Sequence, residues 1–259
     1  MGLSAISLFS GAGGLDIAAR WSGIRTVCYV EIDRYAQAVL MSRIRSGDLD
    51  DAPIWDDVTT FDGKPWNGKV DIVFGGFPCQ DLSTANYWRE GLAGKRSGLW
   101  SEFARVICEV GPKFVIVENV PGLLMGGAIG IVLGSLAEMG FDAEWGTWGA
   151  CAVGAPHTRE RVFIVAYSNG VRWASVAENQ KGRLPNFYSE MPRSWGHDSD
   201  YLRVSVAWSN AKASKGVLRL DDGMAQELDG IRLSGNGVCP QQALPAFQKI
   251  IEMSGKEGE

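Results

Sequence analysis

The chain has 259 residues, of which 46% are hydrophobic and 21% charged, a composition typical of one large globular α/β domain with or without a small insert. No apolar stretch reaches the length of a membrane span, and the N-terminus lacks the basic region of a secretory signal. The five cysteines, an odd number without C-x-x-C spacing, argue against a disulfide framework and against a zinc site. We therefore expect a reducing cytoplasm and no bound metal.

The net charge of −5 is unevenly distributed along the chain. Residues 151–220 hold ten Lys and Arg against five Asp and Glu, a local balance of +5, so the remainder carries −10. A surface that binds a polyanion is expected in this later segment, with chance clustering on a solvated loop as the alternative.

The first two-thirds of the chain alternates strand-like and helix-like segments, the pattern of a mostly parallel sheet covered by helices. In chain order, we predict a strand over 5–9, a helix over 15–21, a strand over 26–30, a helix over 35–44, a strand over 70–74, a helix over 99–109, a strand over 114–117, a helix over 130–139, and strands over 143–149 and 161–166. The predicted fold class is α/β.

The pattern changes after residue 166. Residues 167–220 are rich in Ser, Asn, Gly, Arg and aromatic residues, and they show little periodicity. We predict a small irregular lobe there, with a disordered linker as the alternative; the tryptophans favour the lobe, because disordered segments are poor in aromatic residues. The predicted division is a catalytic and cofactor-binding domain over 1–166, the lobe over 167–220, and a C-terminal segment over 221–259 that returns to the first domain with a helix over 240–253.

One cysteine follows a predicted strand. The strand over 70–74 leads into Gly75-Gly76-Phe77-Pro78-Cys79, where we expect the two glycines to turn the backbone sharply and Pro78 to fix φ just before the thiol. Chemistry in open α/β sheets gathers at the carboxyl ends of strands, so Cys79 is a candidate nucleophile. A small buried hydrophobe is the alternative.

A strand, a glycine-rich turn and a helix over residues 5–21 form the arrangement of a nucleotide site. The turn has G-x-G-G spacing rather than the G-x-G-x-x-G of dinucleotide sites. Glu31 ends the next strand, where ribose hydroxyls are normally bound, and Asp57 is able to accept a hydrogen bond from an adenine amino group. These residues predict an adenosine-containing cofactor that need not carry phosphates, with a tight turn and solvated carboxylates as the alternative.

Several segments, in this order along the chain, resemble the motifs of the DNA (cytosine-5) methyltransferase family, in particular its compact bacterial and phage members. Residues 9–15 (FSGAGGL) resemble the cofactor loop, 76–80 (GFPCQ) the nucleophile motif, 118–120 (ENV) the Glu-Asn-Val motif, 159–162 (RERV) the Arg-x-Arg motif, and 235–238 (GNGV) the C-terminal motif that completes the cofactor pocket.

The resemblance implies a Rossmann-like S-adenosylmethionine-dependent methyltransferase fold with a small target-recognition lobe, and S-adenosyl-L-methionine as the cofactor. It assigns Glu31 to the ribose, Ile32 to packing on adenine and Asp57 to the adenine amino group. The full set of cofactor-binding residues that it implies is Phe9, Gly11, Gly13, Gly14, Leu15, Glu31, Ile32, Asp57, Val58, Pro78, Leu99, Asn236 and Gly237.

The reaction implied is methyl transfer to C5 of cytosine in a specific sequence of duplex DNA. The thiolate of Cys79 would add to C6 of the base, which makes C5 nucleophilic. Glu118 would hold or protonate N3, Arg161 would hold O2, and Arg159 would support Arg161. Because C5 and C6 lie inside the base stack, the cytosine must be flipped out of the duplex.

The segment after Cys79 resembles the family's closing loop, and residues 167–220 resemble its target-reading lobe. The predicted DNA-binding residues are Gln80, Ser83, Arg89, Arg96, Arg183 and Arg193. Two features depart from the family pattern. His157 occupies a position where the family usually has Gln, and the lobe is short.

Two other functions stay open. The first is the same chemistry on RNA, although the chain lacks the Cys-Phe-Thr segment of the tRNA-acting branch. The second is a non-catalytic DNA-binding relative, although the nucleophile and the cofactor loop are both intact. The expected partners are duplex DNA and, in a restriction–modification system, a cognate restriction endonuclease; a stand-alone methylase needs only the DNA. We expect a monomer with no membrane partner, in the cytoplasm of a bacterial or phage-infected cell.

Overall fold

In this computed structural model, the protein is described over residues 2–78, 98–125, 127–155, 158–168 and 237–255. Within these ranges seven strands form one sheet in the order β3-β2-β1-β4-β5-β7-β6. The strands are β1 (Ser4–Leu8), β2 (Arg25–Val30), β3 (Ile54–Trp55), β4 (Ile72–Gly76), β5 (Phe114–Asn119), β6 (Phe141–Gly149) and β7 (Glu160–Ser168). The helices are α1 (Gly14–Trp21), α2 (Arg34–Ser46), α3 (Leu99–Val110), α4 (Ala128–Glu138) and α5 (Pro240–Gly255), and short 3₁₀ turns cover Lys64–Trp66, Pro121–Leu124 and Ala150–Val153.

The sheet is mostly parallel, which confirms the predicted α/β fold class. Strands β1 to β5 run parallel to one another, whereas β7 is antiparallel to both β5 and β6. The strand order reverses at β1, which lies between β2 and β4. Ligands of open α/β sheets bind in the crevice beside such a reversal, at the carboxyl ends of the strands.

Alternating side chains of the central strands build an apolar layer on each face of the sheet. On one face, Val73 and Val115 pack in a buried cluster with Phe103 of α3 and Val132 of α4. On the other face, the cluster holds strand residues together with residues of α1 and α5: Phe74, Phe114 and Phe163 from the strands, Ala18 from α1, and Phe247 and Ile250 from α5. The molecule is therefore a three-layer sandwich of helices, sheet and helices.

Helix α2 begins and ends where its sequence provides caps. The carboxylate of Asp33 accepts hydrogen bonds from the backbone N–H groups of Tyr35 (2.9 Å) and Ala36 (3.0 Å), which are otherwise unsatisfied in the first turn. Gly47 follows the last turn with φ of 81°, a left-handed conformation that glycine adopts without a steric cost. These caps fix the chain just after Glu31.

Two predictions about the strands near the glycines are wrong. Phe9 is not part of β1, because its backbone has left-handed φ (53°) and leaves the sheet one residue earlier. Gly75 and Gly76 are not a turn but the last two residues of β4, paired with Val117 and Glu118. Glycine is needed here because β1 lies very close: a Cβ on Gly75 would collide with the carbonyl oxygen of Leu8.

Other boundaries differ by a few residues, and β3 was not predicted. Strand β7 extends through Tyr167 and Ser168, past the predicted end of the first domain. The remainder of the predicted lobe, residues 169–220, lies outside the described residues, so the division into domains stays a prediction. No helix in the described ranges is both long and apolar enough to cross a membrane.

Candidate active site

The strand ends bring most of the predicted residues that the structure describes to one edge of the sheet. Strands β1, β2, β4 and β5 all end there, because they are parallel. Strand β7 runs the opposite way, so its first residues reach the same edge: Asn119 at the end of β5 pairs with Val162 near the start of β7. Arg159 and Arg161 thereby approach Glu118, although they follow it by about forty residues.

The glycine-rich loop after β1 turns within three residues. The N–H of Ser10 donates to the carbonyl of Val30 (3.1 Å), and the N–H of Gly13 donates to the carbonyl of Ser10 (2.8 Å). Gly11 and Gly13 have φ of 56° and 80°, values that disfavour residues with a Cβ. The loop thus joins β1 to the first turn of α1 and lies against the end of β2.

Glu31 is fixed by the backbone around it. Its side chain is buried, with Oε2 accepting from the N–H of Gly11 (2.7 Å) and Oε1 from the N–H of Asp33 (2.8 Å). Its carbonyl accepts from the side-chain amide of Gln37 (2.6 Å). A carboxylate with both oxygens oriented by N–H donors is a preorganised acceptor for hydroxyl groups.

Two residues beside Glu31 offer what a purine requires. Ile32 is 69% exposed, an unusual exposure for an aliphatic side chain at a strand end, and covering it fully would contribute about 1.5–3 kcal/mol. Asp57 is half-buried, and its Oδ1 accepts from both the N–H and the hydroxyl of Thr59 (2.8 Å each). These contacts orient the Asp57 carboxylate.

The remaining cofactor-end residues contribute in different ways. The side chains of Leu15 and Val58 are buried in the core, Leu99 is half-buried at the start of α3, and Pro78 is exposed after β4. A Cβ on Gly14 would lie 2.6 Å from the carbonyl oxygen of Val238, so the residue after Gly237 packs directly on the glycine-rich loop. The structure therefore brings the first and last predicted motifs together.

These residues fit the adenosine part of a cofactor. The loop over residues 9–15 contains no Lys or Arg, as expected where no phosphate has to be neutralised. These side chains are complementary to adenosine instead: Glu31 offers an oriented acceptor for hydroxyls, Ile32 an exposed aliphatic surface for a flat ring, and Asp57 an acceptor for an amino group.

At the other end of the site, Glu118 forms a buried ion pair with Arg161. Both side chains are about nine-tenths buried, and Nε of Arg161 lies 2.7 Å from Oε1 of Glu118. Burial raises the pKa of Glu118 to about 7, because removal from water disfavours the charged form more than the charges of Arg161 and Arg159 favour it. Glu118 is thus able to carry or release a proton near neutral pH.

Arg159 lies beside this pair. Burial, and next the charge of Arg161, lower the pKa of its guanidinium to about 10, so it remains positively charged at neutral pH. Two charged guanidinium groups near one carboxyl form a site that attracts acceptor oxygens and anionic groups. This is suited to a polar ring edge.

Sequence reasoning missed the residues that hold this arrangement together. The side-chain amide of Asn119 donates to the carbonyl of Phe77 (3.0 Å), and its oxygen accepts from the N–H of Val120 (2.8 Å). Asn119 therefore ties the end of β5 to the chain that leads into Cys79. Its place within Glu-Asn-Val was a signal for it.

Gln242 of α5 is fully buried and anchors the start of β7. Its side-chain amide donates to the carbonyls of Trp148 and Arg159 (2.8 Å each), while its Oε1 has no hydrogen-bond partner among the described residues. Only its place in the first turn of the predicted helix over 240–253 marked it in the sequence.

Asp16 is a buried acid beneath the glycine-rich loop. It accepts from the hydroxyls of Ser7 (3.1 Å) and Thr26 (3.3 Å), and the Ser7 hydroxyl lies 2.8 Å from that of Ser10. Burial raises the pKa of Asp16 to about 7. The available signal was an acidic residue in the middle of an apolar run.

Several of the predicted site residues lie outside the described residues. They are Cys79, Gln80, Ser83, Arg89, Arg96, Arg183, Arg193 and Asn236, together with His157. The roles of all the predicted site residues stay predictions.

The chain is similar to known proteins over much of its length. Residues 3–215 match the family model described as C-5 cytosine-specific DNA methylase. Over 166 residues the chain is 36% identical to the type II methyltransferase M.PspPI of Psychrobacter, a match covering 62% of this chain and 39% of that protein. It is also 31% identical over 191 residues to the orphan methyltransferase M.Rho11sI of Bacillus phage rho11s, covering 70% of this chain and 36% of the phage protein.

Among solved structures, DNMT2 of Spodoptera frugiperda superposes with a TM-score of 0.56 at 20% identity, covering 75% of this chain and 56% of that chain, a likeness that shows the fold alone. This chain spans about two-fifths of the length of the curated relatives it matches. Members of the matched family use S-adenosylmethionine. Because the family model covers most of the chain, the protein belongs to the C-5 cytosine-specific DNA methylase family.

Proposed function

We propose that this chain transfers a methyl group from S-adenosylmethionine to C5 of cytosine in a specific sequence of duplex DNA. The observation that carries the proposal is the buried Glu118–Arg161 pair beside the end of β4, the strand that leads to Cys79. A carboxyl able to hold a proton at neutral pH, next to fixed positive charge, is what the N3 and O2 edge of cytosine requires.

The cofactor end has its own set of residues. Glu31 would bind the ribose hydroxyls, Ile32 would cover one face of adenine, and Asp57 would accept from its amino group. Gly11 and Gly13 would allow close approach of the backbone. When bound, the cofactor supplies an electrophilic methyl group on a sulfonium sulfur.

The chain's own residues would perform the chemistry on the base. The thiolate of Cys79 adds to C6, forming an S–C6 bond, and the displaced electron pair moves toward N3. Glu118 donates its proton to N3, while Arg161, supported by Arg159, holds O2. C5 is then nucleophilic toward the methyl group. Transfer of the methyl group would leave S-adenosylhomocysteine. A water molecule then takes the C5 proton and the N3 proton returns to Glu118, while the C5–H electron pair forms the C5–C6 double bond, the S–C6 bond breaks and the Cys79 thiolate leaves.

DNA binding is assigned to residues after Cys79 and to the basic later segment. Ser83, Arg89 and Arg96 would close on the flipped cytosine, with Gln80 beside the base, and Arg183 and Arg193 would contact phosphates or guanine edges. Replacing Arg183 or Arg193 with Met should weaken DNA binding and flatten its dependence on salt. If DNA binding by both variants depends on salt as strongly as in the wild type, then Arg183 and Arg193 are not part of the DNA-binding surface.

The decisive experiment is transfer of labelled methyl from S-adenosylmethionine to unmethylated duplex DNA of diverse sequence, mapped by bisulfite sequencing. We expect label in cytosines of one short sequence context, no turnover by Cys79→Ala, and intact cofactor binding by that variant. Absence of transfer by a folded, cofactor-binding protein would contradict the proposal and favour an RNA substrate or a binding role. We also propose that the protein acts as a monomer in the cytoplasm of a bacterial or phage-infected cell, with or without a cognate restriction endonuclease.

A further inference from the structure

The segment after β3 carries Asp57, and the hydrogen bonds of Asp57 itself are all local. Oδ1 of Asp57 accepts from Thr59, and the carbonyl of Asp57 accepts from the N–H (3.1 Å) and the hydroxyl (3.0 Å) of Thr60. These contacts all join residues within three positions of one another. They shape the turn, and the indole N–H of Trp55, at the end of β3, donates to the Thr60 hydroxyl (3.0 Å), which joins the turn to the sheet at one point.

Arg105 fastens this segment to helix α3. Its Nη2 donates to the carbonyl of Val58 (2.7 Å), and its Nη1 donates to the carbonyl of Phe61 (2.9 Å). Val58 is the residue next to Asp57, so one hydrogen bond acts a single peptide unit away from the carboxylate that would contact adenine. Val58 and Phe61 are themselves buried, which limits the positions that the segment can take.

Two acidic residues of the same helix hold the guanidinium in place. Nε of Arg105 lies 2.8 Å from Glu102, and its Nη1 lies 2.8 Å from Glu109. Glu109 also accepts from the N–H of Gly63 (2.9 Å), which fastens the chain two residues beyond Phe61. A planar fork with five donors is able to serve two carboxylates and two carbonyls at once, whereas a lysine ammonium is not.

We propose that Arg105 is a positioning residue for nucleobase recognition. It holds the segment over residues 57–61 in the position in which Asp57 accepts a hydrogen bond from the adenine amino group. The inference rests on the proposed function, because it takes Asp57 as that acceptor. An Arg105 that only stabilised the fold would contribute to stability alone, without any effect on which base the pocket prefers. The two roles therefore differ in a measurable quantity.

The test compares two cofactor products by isothermal titration calorimetry. S-adenosylhomocysteine carries the amino group, whereas S-inosylhomocysteine has an oxygen in its place. We expect the wild-type protein to bind the adenosine compound about 10- to 100-fold more tightly, the range of a hydrogen bond to a charged acceptor. In Arg105→Met this ratio should fall to about threefold or less, because the acceptor is no longer held in place.

Two further variants sharpen the comparison. Arg45→Met removes an exposed arginine from α2 and should leave the ratio unchanged. Arg105→Lys keeps the charge but supplies donors from a single point, so an intermediate ratio is expected. If the circular dichroism spectrum of Arg105→Met differs from that of the wild type, the comparison is made with Arg105→Lys instead.

Each outcome has a distinct meaning. Wild-type protein that discriminates, with both Arg105 variants discriminating equally well, would overturn the role of Arg105 and leave the proposed function standing. Wild-type protein that binds both compounds equally would overturn Asp57 as the acceptor and this inference with it. Failure of the folded wild-type protein to bind either compound would contradict the proposed function itself.

Discussion

Replacing Glu118 with Gln tests whether the carboxyl at the end of β5 works by holding a proton. The amide has the same shape as the neutral acid, and it cannot ionise. Because burial raises the pKa of Glu118 to about 7, the wild-type side chain changes charge within the physiological range, whereas the variant does not. Both stability and activity should therefore lose part of their pH dependence in Glu118→Gln.

The size and sign of the stability effect follow from linkage. In the unfolded chain the carboxyl has its ordinary pKa of 4.5, and in the folded protein about 7, so the folded state binds the proton more tightly. The resulting stabilisation is fully present below pH 4.5, and about 3 kcal/mol of it is lost as the pH rises to about 7. The unfolding free energy of the wild type minus that of Glu118→Gln should therefore decrease as the pH rises from 4.5 to about 7.

The activity of the variant should fall because an amide cannot protonate N3. General acid catalysis typically contributes about 100- to 10,000-fold, and we expect a loss of that order in single-turnover methyl transfer. In the wild type, the rate should decline above pH 7 as Glu118 ionises; in the variant, this decline should be missing. Cofactor affinity should change little, since the cofactor-end residues are untouched.

The assay is urea unfolding followed by circular dichroism between pH 4 and pH 8, together with single-turnover kinetics over the same range. Glu160→Gln is the matched control, because Glu160 is exposed at the start of β7 and its substitution keeps the backbone contact to Arg161. If the stability difference between wild type and Glu118→Gln is the same at every pH, then Glu118 does not bind its proton more tightly in the folded state, and the reasoning fails.

Three further substitutions test the supporting structure. Gln242→Met removes two hydrogen bonds, to the carbonyls of Trp148 and Arg159, although the Arg159 carbonyl still accepts from the N–H of Ala150 (2.8 Å). The free energy of urea unfolding should fall by about 1–3 kcal/mol, whereas the exposed control Gln248→Met should change it by less than about 0.5 kcal/mol; equal effects would contradict the anchoring role. Gly76→Ala places a methyl group against the Glu118 carboxylate and should lower thermal stability by about 1–3 kcal/mol, and an unaltered melting temperature would refute the close approach. The wild type should lose stability as the pH rises from 3.8 to about 7 and Asp16 ionises, whereas Asp16→Asn should not. A difference in unfolding free energy between the two proteins that is independent of pH would exclude the raised pKa of Asp16.

Much of the fold could be predicted because local pattern and tertiary packing agree. Residues 114–117 form an apolar run, and the strand that they begin, Phe114–Asn119, is buried throughout in the sheet. Strand β3 could not be predicted in this way, because its two residues are strand only through their pairing with Tyr29 and Val30. The conformation of Gly75 and Gly76 depends in the same way on the chain that lies beside them.

The site could be predicted in its residue types but not in its connections. Glu118 and Arg161 are recognisable from their motifs, yet their 2.7 Å contact depends on β7 running antiparallel to β5, which is a property of the whole sheet. The bond between Gln242 and the carbonyl of Arg159 joins residues 83 positions apart. No periodicity within a short window reports such a contact.

Helix α5 has a consequence for how the protein is made. The face of the sheet that holds Phe74 and Phe114 is covered by α5, where Phe247 packs edge-on against Phe74 at 5.2 Å. These two phenylalanines are 173 residues apart, so at 5–20 residues per second the ribosome needs roughly 10 to 30 seconds to deliver the cover after the strand has been made. Throughout that interval Phe74 and Phe114 lack the cover that Phe247 gives them, so we expect chaperone binding or slow aggregation to favour the yield of native protein.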